Sequence, residues 1–307
     1  MRAAIIGAGH MGRYHAEKLA RLPGVELVAV ADADAARAAT LAERFHCAPV
    51  SRYQDVFGKT DAAVVAVPTD RHHAIARDCL QHGLHLLIEK PIATTLAEAD
   101  DLISLAEKNH VVLQCGHVER YNKAFRALMA RMDRPVFVEA ERLSGFKQRG
   151  AEVDVVLDLM IHDLDLACAL ARAEPVNVSA CGFRVLTRDI DIANARIEFA
   201  NGCVANLSAS RVSQLPVRKL RVFQPDLYVS ADLQAGKLRY VRQAAGAIEE
   251  AEESHEGGDA LAGQAAAFVS SIEKKTPVQV DGRQGRRALE LALTVGRLVR
   301  ERLRRFE

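Results

Sequence analysis

The chain predicts an α/β protein in two parts: a doubly wound parallel sheet over residues 1–118, then an α/β domain over 119–307 built on a large open, mostly antiparallel sheet. Three observations carry this. An apolar strand, Ala3-Ala4-Ile5-Ile6, runs straight into Gly7-Ala8-Gly9-His10-Met11-Gly12, the spacing G-x-G-x-x-G. Apolar strands and amphipathic helices then alternate to residue 118, which calls for parallel strands with helices on both faces. From residue 135 the apolar period turns toward two, the pattern of half-buried antiparallel strands.

The glycine loop has a specific geometry to satisfy. Gly7 permits the tight turn, Gly9 lets the backbone approach a pyrophosphate, and Gly12 lets the following helix pack closely on the strand. The backbone N–H groups of His10, Met11 and Gly12 open that helix and face an anion. A helical run over 13–22 closes at Pro23-Gly24, and a second apolar strand over 25–31 ends at Asp32, completing a βαβ unit of Rossmann type. Asp32 stands twenty residues past Gly12, where a carboxylate accepts hydrogen bonds from ribose hydroxyls and repels a 2′-phosphate. No arginine follows at once, so the expected cofactor is NAD rather than NADP. Asp34 is the better N-cap for the next helix, over 35–45.

A continuous apolar strand over 61–67 ends in Pro68-Thr69, and a helix over 70–81 follows. In open parallel sheets the carboxyl ends of the strands bind ligands, which puts Pro68, Thr69 and His72 near the cofactor. A surface or capping role for His72 stays open beside that. The strand over 84–88 delivers Glu89-Lys90-Pro91 to the same edge, where Lys90 would aim an ammonium at a substrate oxygen or, taken alone, form a surface pair with Glu89 before a proline turn. Thr94-Thr95 cap a helix over 96–109, and a last strand covers 111–115.

Arg120, Tyr121 and Asn122 stand at the domain boundary and read equally as substrate contacts or as the opening of a helix over 123–132. The glycine-bounded basic loop over 144–150 carries Lys147 and Arg149, which fit either a lid meeting a charged substrate or a surface loop. Behind it, residues 154–166 form an apolar helix containing Asp154, Asp158, Asp163, Asp165 and His162. Asp158 and His162 are four apart and share a helix face. Together they form an oriented proton acceptor, or else a core histidine satisfied by an acid. Strands are expected over 135–143, 176–184, 193–199, 203–211, 219–224, 228–233 and 237–242. The acidic run over 249–256 reads as a solvated loop and the arginine-rich end as an amphipathic helix. One face of so open a sheet needs a cover, and a second copy of the chain is the economical one, giving a homodimer or homotetramer.

Composition excludes several classes. With 49% apolar residues and a net charge of +1, nothing points to nucleic acid or a membrane surface. Apolar runs are strand-sized, and Met1-Arg2-Ala3 enters the first strand without a leader pattern. Six cysteines without a C-x-x-C pair read as reduced residues of a cytoplasmic protein, and no metal site is indicated.

Taken jointly, G-x-G-x-x-G at Gly7, Glu89-Lys90-Pro91, and D-x-x-x-H at Asp158 to His162 resemble the glucose-fructose oxidoreductase/inositol dehydrogenase (Gfo/Idh/MocA) family over essentially the whole chain. The resemblance implies an NAD-dependent dehydrogenase acting on a CH–OH group, with Lys90 and His162 at the reacting carbinol and Asp158 alongside. It implies Asp32 on the ribose and Gly7, Gly9, His10, Met11, Gly12, Pro68, Thr69, His72 and Glu89 around the cofactor. It also implies a dimer through the second domain's sheet. Within the family, residues 116–122 and 154–163 are most similar to members that oxidise the C3 hydroxyl of UDP-N-acetylglucosamine, a step toward lipid A or surface polysaccharide. Lys123 stands where those members usually carry Pro. Arg120, Tyr121, Asn122, Lys147 and Arg149 are the candidate substrate contacts, and a free polyol such as inositol is the alternative substrate.

Overall fold

The structure is a computed structural model that describes residues 1–146, 153–244 and 246–306. The chain divides into two compact units, Met1–Val118 with Asp259–Leu289, and Glu119–Gly258 with Glu290–Glu307.

The first unit opens β1 (Arg2–Ile6), α1 (His10–Leu19), β2 (Glu26–Ala31), α2 (Ala35–Arg44), β3 (Ala48–Val50), β4 (Ala62–Val65), α3 (His72–Gln81), β5 (His85–Ile88), α4 (Leu96–Lys108), β6 (Leu113–Cys115). Its six strands are all parallel, in the order β3-β2-β1-β4-β5-β6. Residues Ala3 to Ile6 and Ala62 to Val65 are wholly buried because helices cover both faces, so these strands are apolar without alternation. Register places the site. Ile6 pairs with Ala31 and with Val65, Val65 with Ile88, and Ile88 with Cys115. Gly7, Asp32, Ala66, Glu89 and Gly116, each next in sequence, therefore emerge at one carboxyl edge. The strand order reverses at β1 and β4, where ligands enter such sheets.

Local chemistry starts the helices as expected. Asp34 caps α2, accepting from the Ala36 and Arg37 N–H groups. Thr95 caps α4 in a capping box with Glu98, together satisfying two donors that would otherwise be orphaned.

The second unit contains α5 (Lys123–Met129), β7 (Phe137–Leu143), a π-helical turn Val156–Met160, α6 (Ile161–Ala171), β8 (Pro175–Phe183), β9 (Ile192–Phe199), β10 (Val204–Ser210), β11 (Val217–Gln224), β12 (Leu227–Asp232), β13 (Lys237–Ala244), β14 (Ala247–Ser254). The eight strands run β14-β13-β12-β11-β7-β10-β9-β8, antiparallel throughout except for the β7 and β10 pair. Strict alternation along β7 buries Val138, Ala140 and Arg142 on one face. The acidic run read as a loop is instead the edge strand β14. Its carboxylates meet the facing cations of β13, with Arg239 2.8 Å from Glu250 and Arg242 2.6 Å from Glu249. Charge along an edge is compatible with a strand when the neighbour carries the opposite sign.

Two helices close the chain, α7 (Ala260–Glu273) and α8 (Gly282–Leu303). Helix α7 lies in the first unit, although the sequence reading put every residue after 118 in the second. Its apolar face explains the return: Ala265, Phe268 and Val269 join Ala16, Leu19 and Val30 in one buried cluster. Burying a phenylalanine such as Phe268 contributes about 1.5 to 3 kcal/mol.

In the second unit Asp191 holds the turn between β8 and β9. It is 0% exposed and accepts from the N–H groups of Val185, Leu186 and Thr187 at 2.8, 2.7 and 2.8 Å, and from the Thr187 hydroxyl at 2.8 Å. Burial alone would raise the carboxyl's pKa; the donors outweigh it and hold it at about 2, against an ordinary 3.8. A depressed carboxylate stabilises the fold above its unfolded pKa and loses that contribution as pH falls through its folded value. Asp191→Ala is expected to lower stability at neutral pH by about 2 kcal/mol. Urea unfolding followed from neutral pH down through about 2 should show the wild type shedding this difference below about 3.8 and the variant lacking that part of the acid slope.

Candidate active site

In the first unit the site begins with backbone that excludes side chains. Gly7 has φ +103°, and a Cβ there would lie 2.5 Å from the Ala66 carbonyl oxygen. A Cβ on Gly12 would lie 1.7 Å from the Gly7 carbonyl oxygen, so α1 leaves β1 at its observed angle only with glycine at that position. Gly9 differs: no atom lies within 4 Å of its would-be Cβ, and the space above it is open. Gly9 is also the N-cap of α1. It has no side chain to cap the helix, and the N–H groups that open α1 form a donor set suited to a pyrophosphate.

Asp32 is oriented by backbone. One carboxylate oxygen accepts from Ala8 N–H at 2.8 Å and the other from Asp34 N–H at 2.8 Å. A carboxylate has about four acceptor positions, which leaves capacity for ribose hydroxyls. The open glycine, the uncapped helix and the fixed carboxylate together fit a dinucleotide. Beside them lies a cavity of about 420 Å³ lined by Ala8, Arg13, Arg37, Thr40 and Arg44 among others. The sequence reading found no arginine directly after Asp32; α2 brings one back, with Arg37 3.7 Å from Asp32 and 2.9 Å from Asp34.

Further along the edge, Pro68 is exposed, Thr69 half-buried, and Lys90 half-buried before a cis peptide bond to Pro91. Two residues expected around the cofactor have other partners. Glu89 is buried and lies 2.6 Å from His15 Nε2. Burial would raise its pKa, but the His15 hydrogen bond and the charge of His15 and Lys90 bring it below the usual carboxylate range. His72 is buried, with Nδ1 2.8 Å from the Pro91 carbonyl oxygen and Nε2 3.0 Å from that of Val67. Burial lowers its pKa despite those carbonyls, so the neutral ring donates to one of them at a time. Both ring nitrogens thus face protein backbone, and the surface role weighed for His72 is excluded by its burial.

The second unit sorts the four acids of its apolar helix. Asp154 caps the turn, accepting from Val156 and Leu157 N–H, and pairs with Arg300 at 3.0 Å. Asp163 takes two hydrogen bonds from Arg142, at 2.9 and 2.8 Å, and Arg142 reaches Glu119 at 2.9 Å. Burial pushes the Asp163 carboxyl up, and the adjoining guanidinium opposes it only in part. Asp165 pairs with Arg120 at 2.8 Å. All three of these acids are buried, whereas Asp158 and His162 are half-buried. The segment is not one α-helix as the sequence predicted: Asp158 sits in the π-turn Val156–Met160 and His162 in the first turn of α6. Single π-turns recur at functional sites.

Of the candidate substrate contacts, Arg120 spends its Nε on Asp165, and Tyr121 is buried. Asn122 caps α5, accepting from Ala124 and Phe125 N–H and donating to the Leu233 carbonyl. The helix-opening alternative describes Asn122. Lys147 and Arg149 lie outside the described residues. Sequence reasoning missed His15, Glu119 and Arg142. The signal for His15 was present: Gly12, His15, Ala16 and Leu19 form the buried stripe of α1, and a histidine inside such a stripe needs a buried partner.

The glycines separate binding from folding. Gly9→Ala is expected to leave the melting temperature unchanged and to weaken dinucleotide binding about tenfold or more, some 1.4 kcal/mol. Gly12→Ala should lower both. Calorimetric titration with NAD beside thermal melts checks this; unchanged NAD affinity in Gly9→Ala would remove that loop from the binding site.

Comparison with known proteins agrees with this geometry. Residues 1–117 match the family model "Oxidoreductase family, NAD-binding Rossmann fold", and residues 125–224 match the "GFO/IDH/MocA C-terminal domain". The chain is 41% identical over 303 residues to UDP-N-acetylglucosamine 3-dehydrogenase from Acidithiobacillus ferrooxidans, covering 96% of each. A solved structure of that enzyme superposes with a TM-score of 0.93 at 40% identity, covering 97% of each chain. The scyllo-inositol 2-dehydrogenase (NAD(+)) of Bacillus subtilis is 29% identical over 235 residues, 69% of this chain and 68% of its own. With an NAD-binding Rossmann domain, the matching C-terminal domain and a full-length relative, the chain belongs to the Gfo/Idh/MocA oxidoreductase family.

Proposed function

We propose that the protein is an NAD-dependent dehydrogenase that oxidises the C3 hydroxyl of UDP-N-acetylglucosamine to the 3-keto sugar nucleotide. The observation that carries the substrate is the likeness to the Acidithiobacillus enzyme along nearly the whole of both chains. The chain's own residues support the reaction class. His162 takes the hydroxyl proton as general base, and Asp158 orients the imidazole and stabilises its protonated form. Lys90 donates a hydrogen bond to the developing alkoxide. Bound NAD supplies the hydride acceptor, and Asp32 and the first turn of α1 hold its ribose and pyrophosphate. A 3-keto sugar nucleotide is a substrate for amination, so the product is proposed to feed lipid A or surface polysaccharide in the cytoplasm. Among the described residues no helix is long and apolar enough to cross a membrane.

A free polyol is the second reading, favoured by the inositol dehydrogenase relatives, which match at 25 to 31% identity. NADH formation followed by absorbance across UDP-sugars and polyols separates the two. His162→Ala and Lys90→Ala are each expected to lower kcat/KM by about 10²- to 10⁴-fold, roughly 2.7 to 5.5 kcal/mol of barrier. Unchanged turnover in either variant would take that residue out of the mechanism.

The outer face of the eight-stranded sheet is proposed to pair with a second copy. Phe223 stands between Phe137 and Tyr228 there, with ring centroids at 5.7 and 4.9 Å, flanked by Glu139, Glu141 and Arg221. A patch bearing both charges beside aromatics can be self-complementary about a two-fold axis. Light scattering should give a multiple of the 33.5 kDa chain mass, and Phe223→Glu should shift it toward the monomer.

A further inference from the structure

Two histidines of the first unit have no part in the proposed chemistry, yet both hold the turn that carries Lys90. His15 is 0% exposed and sits on α1, one turn beyond Gly12. Its Nε2 lies 2.6 Å from one oxygen of Glu89, whose other oxygen accepts the backbone N–H of Lys90 at 3.3 Å. Gly116 leaves room for the carboxylate: a Cβ there would fall 3.0 Å from Glu89 Cα and 3.1 Å from Oε2 and would crowd it. On the far side of Lys90, His72 is 1% exposed and reaches the Pro91 carbonyl oxygen at 2.8 Å and that of Val67 at 3.0 Å. The Lys90 turn is thereby flanked by two buried imidazoles, one on the helix of the glycine loop and the other at the start of α3.

Simple cohesion does not account for this arrangement. An apolar pair would join α1 to the turn without desolvating a carboxylate, and buried ion pairs are often neutral or unfavourable against such a replacement. His15 Nδ1 has no partner among the described residues, a further cost left uncompensated. What the polar contacts add is direction, since each fixes one backbone atom at one distance.

We infer that His15, acting through Glu89, and His72 are positioning residues that set the Lys90 backbone in register with the glycine loop. The inference rests on Lys90 being a reacting group, because only then does its placement relative to the dinucleotide affect turnover. Neither histidine touches the reacting atoms. Their effect falls on kcat, since misplacing a catalytic group by an ångström costs rate more than affinity.

The test compares His15→Leu, His15→Gln, His72→Leu and wild type in NAD binding, steady-state kinetics and amide exchange of the peptide spanning residues 86–95. In the Leu variants kcat should fall about 10- to 100-fold, with KM for the sugar nucleotide and Kd for NAD within about threefold of wild type. His15→Gln, which keeps a donor for Glu89, should recover most of the lost kcat. Exchange in the 86–95 peptide should rise in the Leu variants while that of the β1 peptide does not. A kcat within twofold of wild type in both Leu variants, or unaltered exchange, overturns the inference. If the Leu variants do not fold, wild-type exchange decides: a Lys90 amide as protected as those of β5 upholds the clamp, and one exchanging like an exposed loop refutes it. A wild type inert toward UDP-N-acetylglucosamine would fail the proposed substrate instead, and the exchange measurements would still decide this point.

Discussion

The close approach of Gly12 to the Gly7 carbonyl oxygen is the contact on which the nucleotide unit depends. A side chain at Gly12 would place its first carbon 1.7 Å from that oxygen, so the crossing of α1 over the end of β1 exists only because both positions are glycine. The crossing brings the first turn of α1, with Gly9 as its N-cap, to the carboxyl edge of the sheet. One turn later it brings His15 to Glu89, and through Glu89 to the backbone of Lys90. A steric condition on two residues thus propagates along a helix and a hydrogen-bond chain to a candidate catalytic group.

Charge is handled by a second rule, separately in each unit. Charge that is buried is paired, as in Glu89 with His15 and in Arg142 with Asp163 and Glu119. Removing one partner of such a pair costs far more than removing an exposed one, because the remaining charge stays desolvated. The opposed charges along β13 and β14 are solvated and each contributes little, so they mark an edge more than they hold it. The same rule reads function from a helix rich in acids. Asp154, Asp163 and Asp165 are buried and each matched by an arginine, whereas Asp158 and His162, the proposed proton-transfer pair, are half-buried.

Features that depend on neighbours in sequence were legible. The Asp34 cap, the Thr95 capping box and the strand ends at Asp32 and Glu89 follow from residues within a few positions of one another. Features that depend on distant partners were not. The run over 249–256 reads as a loop until β13 supplies its cations. His72 reads as a cofactor contact or a surface residue until Pro91 and Val67 enclose it. The π-turn at Val156–Met160 likewise has no period of its own in an unbroken apolar run.

The sequence by itself determined the architecture, the dinucleotide loop, the carboxylate at Asp32 and the residue types available for proton transfer, because each is written in short-range spacing and in the period of apolar residues. Tertiary structure alone decided which of the many charged side chains are buried and bound to one another. It decided as well that residues Asp259–Leu289 return to the first unit and that two histidines enclose the Lys90 turn. Those outcomes rest on desolvation, and a group's solvation is set by whatever the fold packs beside it, however far away that lies along the chain.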